Sequence, residues 1–459
     1  MASSRTPPPA DPLAAIRARV ADTLARAALA PGQRLLLGFS GGLDSTVLLH
    51  ALAPLRGRFA FVLHAHHVHH GLSPHADAWA SHCAAACAVL GVPMRVSRVR
   101  VAPEPGEGIE AAARRARHQA WAADAADWWV SAHHRDDQAE TVLFRLCRGA
   151  GVHGAAAMAS VEPAAGGPGR LRPLLSIPRR ALAEAAAGAG LRWVEDESNR
   201  DTRFTRNFLR HRVLPLLGER FGAVGATLAR AAGHFAEAGQ LLDDLARLDA
   251  AACGRRPMGA AALRALGPAR QANLLRWQLR GMGLQMPDEA RLHEALRQLA
   301  SAGPAHPLCL DMGPAWLHVY RDQAWLTPPL PRLPVAPVDW SAAAPLAWGE
   351  GHVEAVPAVG EGVGRAWLDG GGGQVCTRWP GCRLRLPGRP AKGVRQLAQE
   401  AGIAPVLRDR LPILRIGGQA AWMAGVGVDA AFACAPGAPG LVLRWVRPVA
   451  YSESGETSP

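Results

Sequence analysis

The chain has 459 residues, more than one hydrophobic core supports, so two or three domains are expected. Hydrophobic residues make up 49% and charged residues 19%, a globular balance that excludes a disordered or fibrous chain, and no apolar run is long enough to span a bilayer. The net charge is +13, carried almost wholly by arginine (Lys392 is the one lysine); that excess favours a polyanionic partner such as nucleic acid, although a general bias toward Arg and Ala gives the same figure.

The opening stretch Met1–Pro9 is Pro-rich and lacks the apolar core of a secretory signal. Leu13, Ile16, Val20 and Leu24 then recur at helical core spacing and lead into an apolar run, Arg34–Phe39, that reads as a buried strand. Directly after it stands Ser40-Gly41-Gly42-Leu43-Asp44-Ser45, followed by an amphipathic helix over Thr46–Leu52. A strand, a glycine turn and a helix N-terminus make a phosphate cradle. Free N–H groups and the helix dipole face the anion, the glycines permit a left-handed turn, and the Ser40 and Ser45 hydroxyls are donors. The loop has no lysine, so it is not the Gly-x4-Gly-Lys-Ser/Thr triphosphate loop. It resembles the PP-loop of ATP pyrophosphatases, which cleave ATP between the α- and β-phosphates; an ordinary strand–turn–helix corner fits the same six residues.

Strand patterns at Phe59–Ala65, Met94–Val99 and Trp128–Ala132 alternate with helical ones at Ala76–Leu90 and Ile109–Ala123. That alternation predicts an α/β domain built on a doubly wound, mostly parallel sheet, with the ligand crevice at the carboxyl ends of the strands. Dense polar sequences fall at those ends. His67-Val68-His69-His70-Gly71 follows the second strand, and Ser131-Ala132-His133-His134-Arg135-Asp136-Asp137-Gln138-Ala139-Glu140-Thr141 follows the fourth. The latter reads as a helix capped by Asp136 or Asp137, with Asp137, Glu140 and Thr141 near one face, where carboxylates hold a divalent ion or accept a proton. On the helix between them, Arg114 and Arg117 share a face suited to a surface or to phosphates. The segment Trp193–Arg210 is too polar for core and reads as a loop presenting Arg203, Arg206 and Arg210 to an anion.

Beyond about Leu217 the pattern turns helical over Ala223–Leu248 and Ala261–Leu299. A Pro-rich stretch, Thr327–Pro337, reads as a stiff linker. Short strand-like pieces (Leu384–Leu386, Pro412–Ile416, Ala421–Ala424, Leu441–Val446) and a helix at Val394–Ala401 complete a small α+β module. The expected domains are therefore 1–217 catalytic, 218–330 helical, 331–367 a Pro/Gly-rich linker and 368–450 α+β. The eight cysteines form no Cys-x-x-Cys pair, which fits reduced thiols in a cytoplasmic protein; Cys83 and Cys87, one turn apart, read as small core residues.

Taken together, Ser40–Ser45, His67–Leu72, Ala113–Arg117, Ser131–Gly151, Arg172-Pro173-Leu174-Leu175 and Asp196–Asn207 resemble the tRNA(Ile)-lysidine synthetase family. Gly402-Ile403-Ala404-Pro405, Arg408, Arg410-Leu411-Pro412 and Trp422 resemble its C-terminal domain; His69 and His118 depart from the family pattern, which has an acid or amide and an aromatic there. The resemblance implies an ATP-dependent ligase that joins free L-lysine to carbon 2 of the wobble cytidine of a tRNA(Ile) with a CAU anticodon, through an adenylated tRNA. It implies ATP and Mg²⁺, with Ser40, Gly41, Gly42, Leu43, Asp44 and Ser45 binding the nucleotide and Asp44 with Asp137 holding the metal. Asp44, Asp136, Asp137, Glu140, Arg114 and Arg206 are the catalytic candidates, with Asp137 or Glu140 as base. The helical and C-terminal domains would grip tRNA; no membrane is involved, and the assembly is a monomer or a homodimer. A PP-loop tRNA thiolase, another adenylating ligase of this fold, and a non-catalytic RNA-binding protein are the alternatives.

Overall fold

A computed structural model describes residues 11–448 except 107, 165, 198–200, 304, 305, 370 and 371. The Pro-rich N-terminus, the Ser198-Asn199-Arg200 stretch and the tail from Tyr451 lie outside the described residues. The chain divides into two compact units between Gln240 and Leu241.

The first unit runs α1 (Ala14–Ala27), β1 (Arg34–Gly38), α2 (Leu43–Leu52), α3 (Arg56–Phe59), β2 (Val62–His69), α4 (Ala76–Val89), β3 (Met94–Arg98) and α5 (Ile109–Ala122). It continues through β4 (Trp128–Val130), α6 (Arg135–Cys147), α7 (Val152–Ala155), β5 (Val161–Glu162), β6 (Gly169–Leu171), α8 (Arg179–Gly188), α9 (Thr205–Phe208) and α10 (Leu214–Phe221). The sheet order is β3-β2-β1-β4-β6-β5, parallel throughout except for β5. The chain leaves β1 toward β2 and β3, then returns to place β4 on the other side of β1. That reversal is a topological switch point, and it sets the loops after β1 and β4 side by side.

Alternation along the strands decides what each face meets. Leu35, Leu37, Leu63, Ala65, Trp128, Val130 and Leu171 form one buried core with Val20 and Leu24 of α1, Val47 and Leu48 of α2 and Leu182 of α8. On the opposite face α5 packs close: a Cβ added at Gly38 would stand 2.2 Å from Cζ2 of Trp121. The second strand starts later than its apolar pattern suggests. Arg56–Phe59 is helical, Ala60 ends that helix in the left-handed region (φ 52°), and β2 then runs on to His69.

α11 (Val224–Cys253) begins in the first unit and ends in the second. The second unit continues with β7 (Met258–Gly259), α12 (Ala260–Ala265), α13 (Pro268–Gly281), α14 (Glu289–Ser301), β8 (Leu308–Asp311), β9 (Trp316–Tyr320) and β10 (Gln323–Thr327). The segment expected to be helical therefore also carries an antiparallel sheet, β7-β10-β9-β8, packed through Leu310, Leu317 and Leu326 on Leu274, Leu275 and Leu296.

The expected linker 331–367 is corrected by the fold. It holds β11 (Val338–Trp340), β12 (Leu346–Trp348), β13 (Gly351–Val359), β14 (Val363–Gly364) and the start of α15 (Ala366–Asp369), and it buries Trp340, Trp348 and Val353. Pro357 is tolerated because β12 pairs only with Gly351–Val353, so on that side β13 needs no donor from Pro357. The remaining elements are β15 (Gly373–Cys376), β16 (Arg383–Leu384), β17 (Lys392–Gly393), α16 (Val394–Glu400), α17 (Pro405–Arg408), β18 (Ile413–Ile416), β19 (Gln419–Met423), β20 (Gly427–Val428) and β21 (Pro439–Val446). They form sheets β11-β15-β18-β19-β20, β12-β13-β21-β14 and β16-β17 around one core. Among the described residues, no helix is long and apolar enough to cross a membrane.

Candidate active site

The loop after β1 turns at Gly41, whose φ of 81° is a conformation only glycine adopts cheaply. A side chain there would also collide: its Cβ would lie 2.7 Å from Sγ of Cys83 and 3.3 Å from Cγ2 of Val194. The Gly41 carbonyl accepts the Val194 N–H at 2.9 Å, tying the polar 193–210 segment to the glycine turn. α2 starts at Leu43 with Gly42 as an N-cap that supplies no side chain, and the first intrahelical bond runs from Thr46 N–H to Gly42 O (3.0 Å). The N–H groups of Leu43, Asp44 and Ser45 precede that bond and form the open positive end of α2. The two serines differ. Ser45 is buried, and its Oγ contacts Gly42 O (3.1 Å) and Ser40 Oγ (3.0 Å), bracing the turn from inside; Ser40 is exposed.

α6 is capped by His134, rather than by Asp136 or Asp137 as the sequence suggested. His134 Nδ1 accepts the N–H groups of Asp136 (3.2 Å) and Asp137 (3.4 Å), while Asp137 Oδ2 accepts the His134 N–H at 2.9 Å. This is a capping box with imidazole in the serine position. An accepting Nδ1 puts the ring proton on Nε2, which faces Asp137 Oδ2 at 3.4 Å and Asp44 Oδ2 at 3.6 Å. One imidazole thereby joins the helix after β1 to the helix after β4.

Asp137 and Glu140 meet two arginines from 66 to 73 residues away. Arg206 donates Nε to Glu140 Oε2 (2.9 Å) and Nη2 to Asp137 Oδ1 (2.9 Å). Arg210 donates Nε to Glu140 Oε1 (2.6 Å) and Nη2 to Glu140 Oε2 (3.0 Å) and Asp137 Oδ1 (3.1 Å). Glu140 is 1% exposed, and both its oxygens are taken. Burial works to raise the Asp137 pKa, but the His134 imidazole and Arg206 outweigh it and hold the carboxyl below its ordinary range. Arg203, expected beside these two, instead pairs with Asp201 (2.7 Å).

Asp44 differs from its neighbours. Burial raises its pKa above the ordinary carboxylate value against the pull of His134 and Arg179. Its Oδ1 is enclosed without a hydrogen bond, the Arg179 Nε standing 3.9 Å away. Asp136 is half-buried and, among the described residues, accepts only the Arg179 N–H, at a long 3.4 Å. A divalent cation with hard-oxygen preference is compatible with Asp44, whose Oδ1 is uncompensated, and not with Asp137, whose oxygens already receive three N–H donors. Among the described residues, no group of three or more His, Cys, Asp or Glu side chains suits a metal ion.

His133 lies beside this cluster, its Nδ1 2.8 Å from Ser131 Oγ. Burial, together with the charges of Arg206, Arg172 and Arg114, pushes its pKa down to about 3, so the ring is neutral at pH 7. Arg114 is exposed on α5, close enough for its charge to act on His133. The His67 run contributes differently: His67 is buried in β2, with Nδ1 2.9 Å from the Phe39 carbonyl, and so braces the base of the glycine turn. Cys83 and Cys87 are buried, with their thiols pushed up to about 12 and about 11 by burial, which leaves them inert. The sequence set Arg206 and Arg210 against an anion but missed that Asp137 and Glu140 supply it, and it missed His134 as the bridge. The i, i+4 spacing of the two arginines was the available signal for the first.

Comparison with known proteins places these residues in context. A PP-loop domain family matches residues 14–217, a TilS substrate binding domain matches 260–325, and a TilS substrate C-terminal domain matches 374–445. The chain is 52% identical over 426 residues to the tRNA(Ile)-lysidine synthase of Aromatoleum aromaticum, covering 92% of this chain and 100% of that one. It is 48% identical to the enzyme of the same name from Azoarcus sp., over 95% of this chain and 96% of that one. Among solved structures, the U34-tRNA thiolase NcsA from Methanococcus maripaludis is similar at a TM-score of 0.42 and 17% identity, over 49% of this chain and 80% of that one.

Proposed function

The chain belongs to the tRNA(Ile)-lysidine synthase family, and on that premise we propose how its residues form lysidine on an isoleucine tRNA at the expense of ATP. The observation that carries the reading is the meeting of Asp44, at the open N-terminus of α2, with the His134–Asp137 cap of α6 across 3.6 Å. A phosphate cradle and an acid cluster thus share one mouth.

The ATP phosphates lie against the Leu43–Ser45 N–H groups, with the exposed Ser40 hydroxyl as a further donor. The C2 oxygen of the wobble cytidine of the CAU anticodon attacks the α-phosphorus, and pyrophosphate leaves. The ε-amine of free L-lysine then attacks C2, the C2–O bond breaks, and AMP departs with that oxygen. Mg²⁺, when bound, supplies Lewis-acid neutralisation of phosphate charge, with Asp44 as its protein ligand. Arg114 faces the same anions from α5.

Asp137 and Glu140 act as posts that hold Arg206 and Arg210 at the mouth; each accepts three N–H donors, and so charge-stabilised a carboxylate is a poor base. Asp136, with an oxygen uncommitted, receives the lysine ammonium and its proton. His133 is neutral and presents no competing cation to that ammonium. The basic second unit grips the tRNA backbone. The same reading takes the cytoplasm as the location and a homodimer as the assembly, which sedimentation would test. The direct test of function is nucleoside analysis of the anticodon after incubation with ATP, lysine and unmodified tRNA; absence of lysidine overturns the reading.

A further inference from the structure

The second unit contains a cavity of about 430 Å³, lined by Asp243 of α11, Arg255 and Arg256 of the loop that follows it, and Trp277, Arg280 and Met282 at the end of α13. α13 buries Gln271, Leu274, Leu275 and Leu279 in its own core, which leaves Trp277 and Arg280 half-buried beside the cavity. Three features give the cavity a definite chemistry. Its lining carries three guanidinium groups and one carboxylate, and Arg280 is paired with Asp243. Arg255 is exposed, and its guanidinium has no partner among the described residues, while its carbonyl is pinned by the Gln278 amide at 3.0 Å. Arg256 donates Nη2 to the Leu326 carbonyl (3.0 Å), and burial draws its pKa down.

The volume lies in the range of small-ligand pockets and far below that of a helical duplex. A flat indole flanked by cations is the pairing that holds a base by stacking and its phosphate by charge. A free dicarboxylate or pyrophosphate would use the arginines and leave Trp277 and Met282 idle. We infer that this cavity takes one unpaired nucleotide of the bound tRNA, its base against Trp277 and its phosphate between Arg255 and Arg280. The inference rests on the tRNA reading above and locates a nucleotide-binding site away from the reacting cytidine.

The test uses the full chain and unmodified isoleucine tRNA. Arg255→Ala should weaken tRNA binding about five- to tenfold at physiological salt and reduce the slope of log K against log salt by about 1. The effect should appear in the KM for tRNA rather than in kcat. Trp277→Ala should weaken binding comparably, and Trp277→Phe, which keeps a ring and the packing, should restore most of it. Arg255 is exposed, so its loss does not threaten folding. An Arg255→Ala protein with wild-type affinity and salt slope overturns the inference, and so does a Trp277→Ala protein that is folded and binds normally. Arginine loss that matters only for added pyrophosphate also overturns it. In each of these cases lysidine formation by the wild-type protein would still stand, whereas its absence would remove the functional reading itself.

Discussion

Arg210 Nε lies 2.6 Å from Glu140 Oε1, joining residues 70 positions apart in the chain. The pair is enclosed: Glu140 is 1% exposed, and Arg206 completes its coordination. A buried carboxylate with two guanidinium partners is costly to break, because the charge left behind has no solvent to turn to. Glu140→Gln, which keeps the shape and removes the charge, is expected to lower unfolding free energy by about 3 kcal/mol in urea titration. It should also reduce kcat/KM by releasing Arg206 and Arg210. An unchanged unfolding midpoint would contradict the role of post.

Asp44→Asn should cut ATP-to-AMP turnover by at least about 10²-fold, the scale seen when one preorganised charge is removed from a reacting phosphate or oxyanion. tRNA affinity should stay within about threefold, because Asp44 belongs to the nucleotide mouth and the grip lies elsewhere. Pyrophosphate release with labelled ATP, together with filter binding, measures both.

Asp136→Asn should raise the KM for lysine about tenfold while adenylation of tRNA, read as lysine-independent pyrophosphate release, persists. Loss of adenylation in this variant would move Asp136 from the amine to the nucleotide.

Gly41→Ala should destabilise the protein by about 1–2 kcal/mol for the left-handed backbone alone, with a further cost from the contact with Cys83. Adding Cys83→Ala should recover the second part and leave the first. Thermal unfolding of the single and double variants separates the two terms.

The pH dependence has a definite sign. His70 and His118 are held down to about 4 and His133 to about 3, with burial the leading cause in each. Histidine in the unfolded chain titrates near 6.5, so between about pH 6.5 and 4 the unfolded state binds more protons than the folded one. Stability is therefore full above pH 6.5 and falls as the pH drops through that window. Asp44, raised by burial, works in the opposite direction near its own range. Melting temperatures measured from pH 7.5 to 4.5 should decline steadily. A flat profile would show that these histidines are solvated.

What the sequence disclosed was local. The glycine turn, the helix after it and the His133–Glu140 run are contiguous, and their spacing states their chemistry. What it concealed was pairing across distance: nothing near Asp137 or Glu140 announces that Arg206 and Arg210 occupy them, so the expected base is a paired carboxylate. The missed strands have separate causes. β9 and β10 turn through Arg321 and Asp322, both at positive φ (48° and 60°), a type I′-like turn without the Asn-Gly that usually marks one. In residues 331–367 the prolines suggest a linker, whereas the fully buried Val353 and Trp348 are the better guide to a sheet.

The central claim is that the α2 cradle and the α6 acids together adenylate a cytidine and hand it to lysine. Mass analysis of the wobble nucleoside, after incubation with ATP, lysine and unmodified isoleucine tRNA, tests this most directly. The account predicts cytidine plus lysine less one water, with AMP and pyrophosphate formed in equal amounts. Unaltered cytidine, a sulfur-bearing base, or ADP in place of AMP would contradict it.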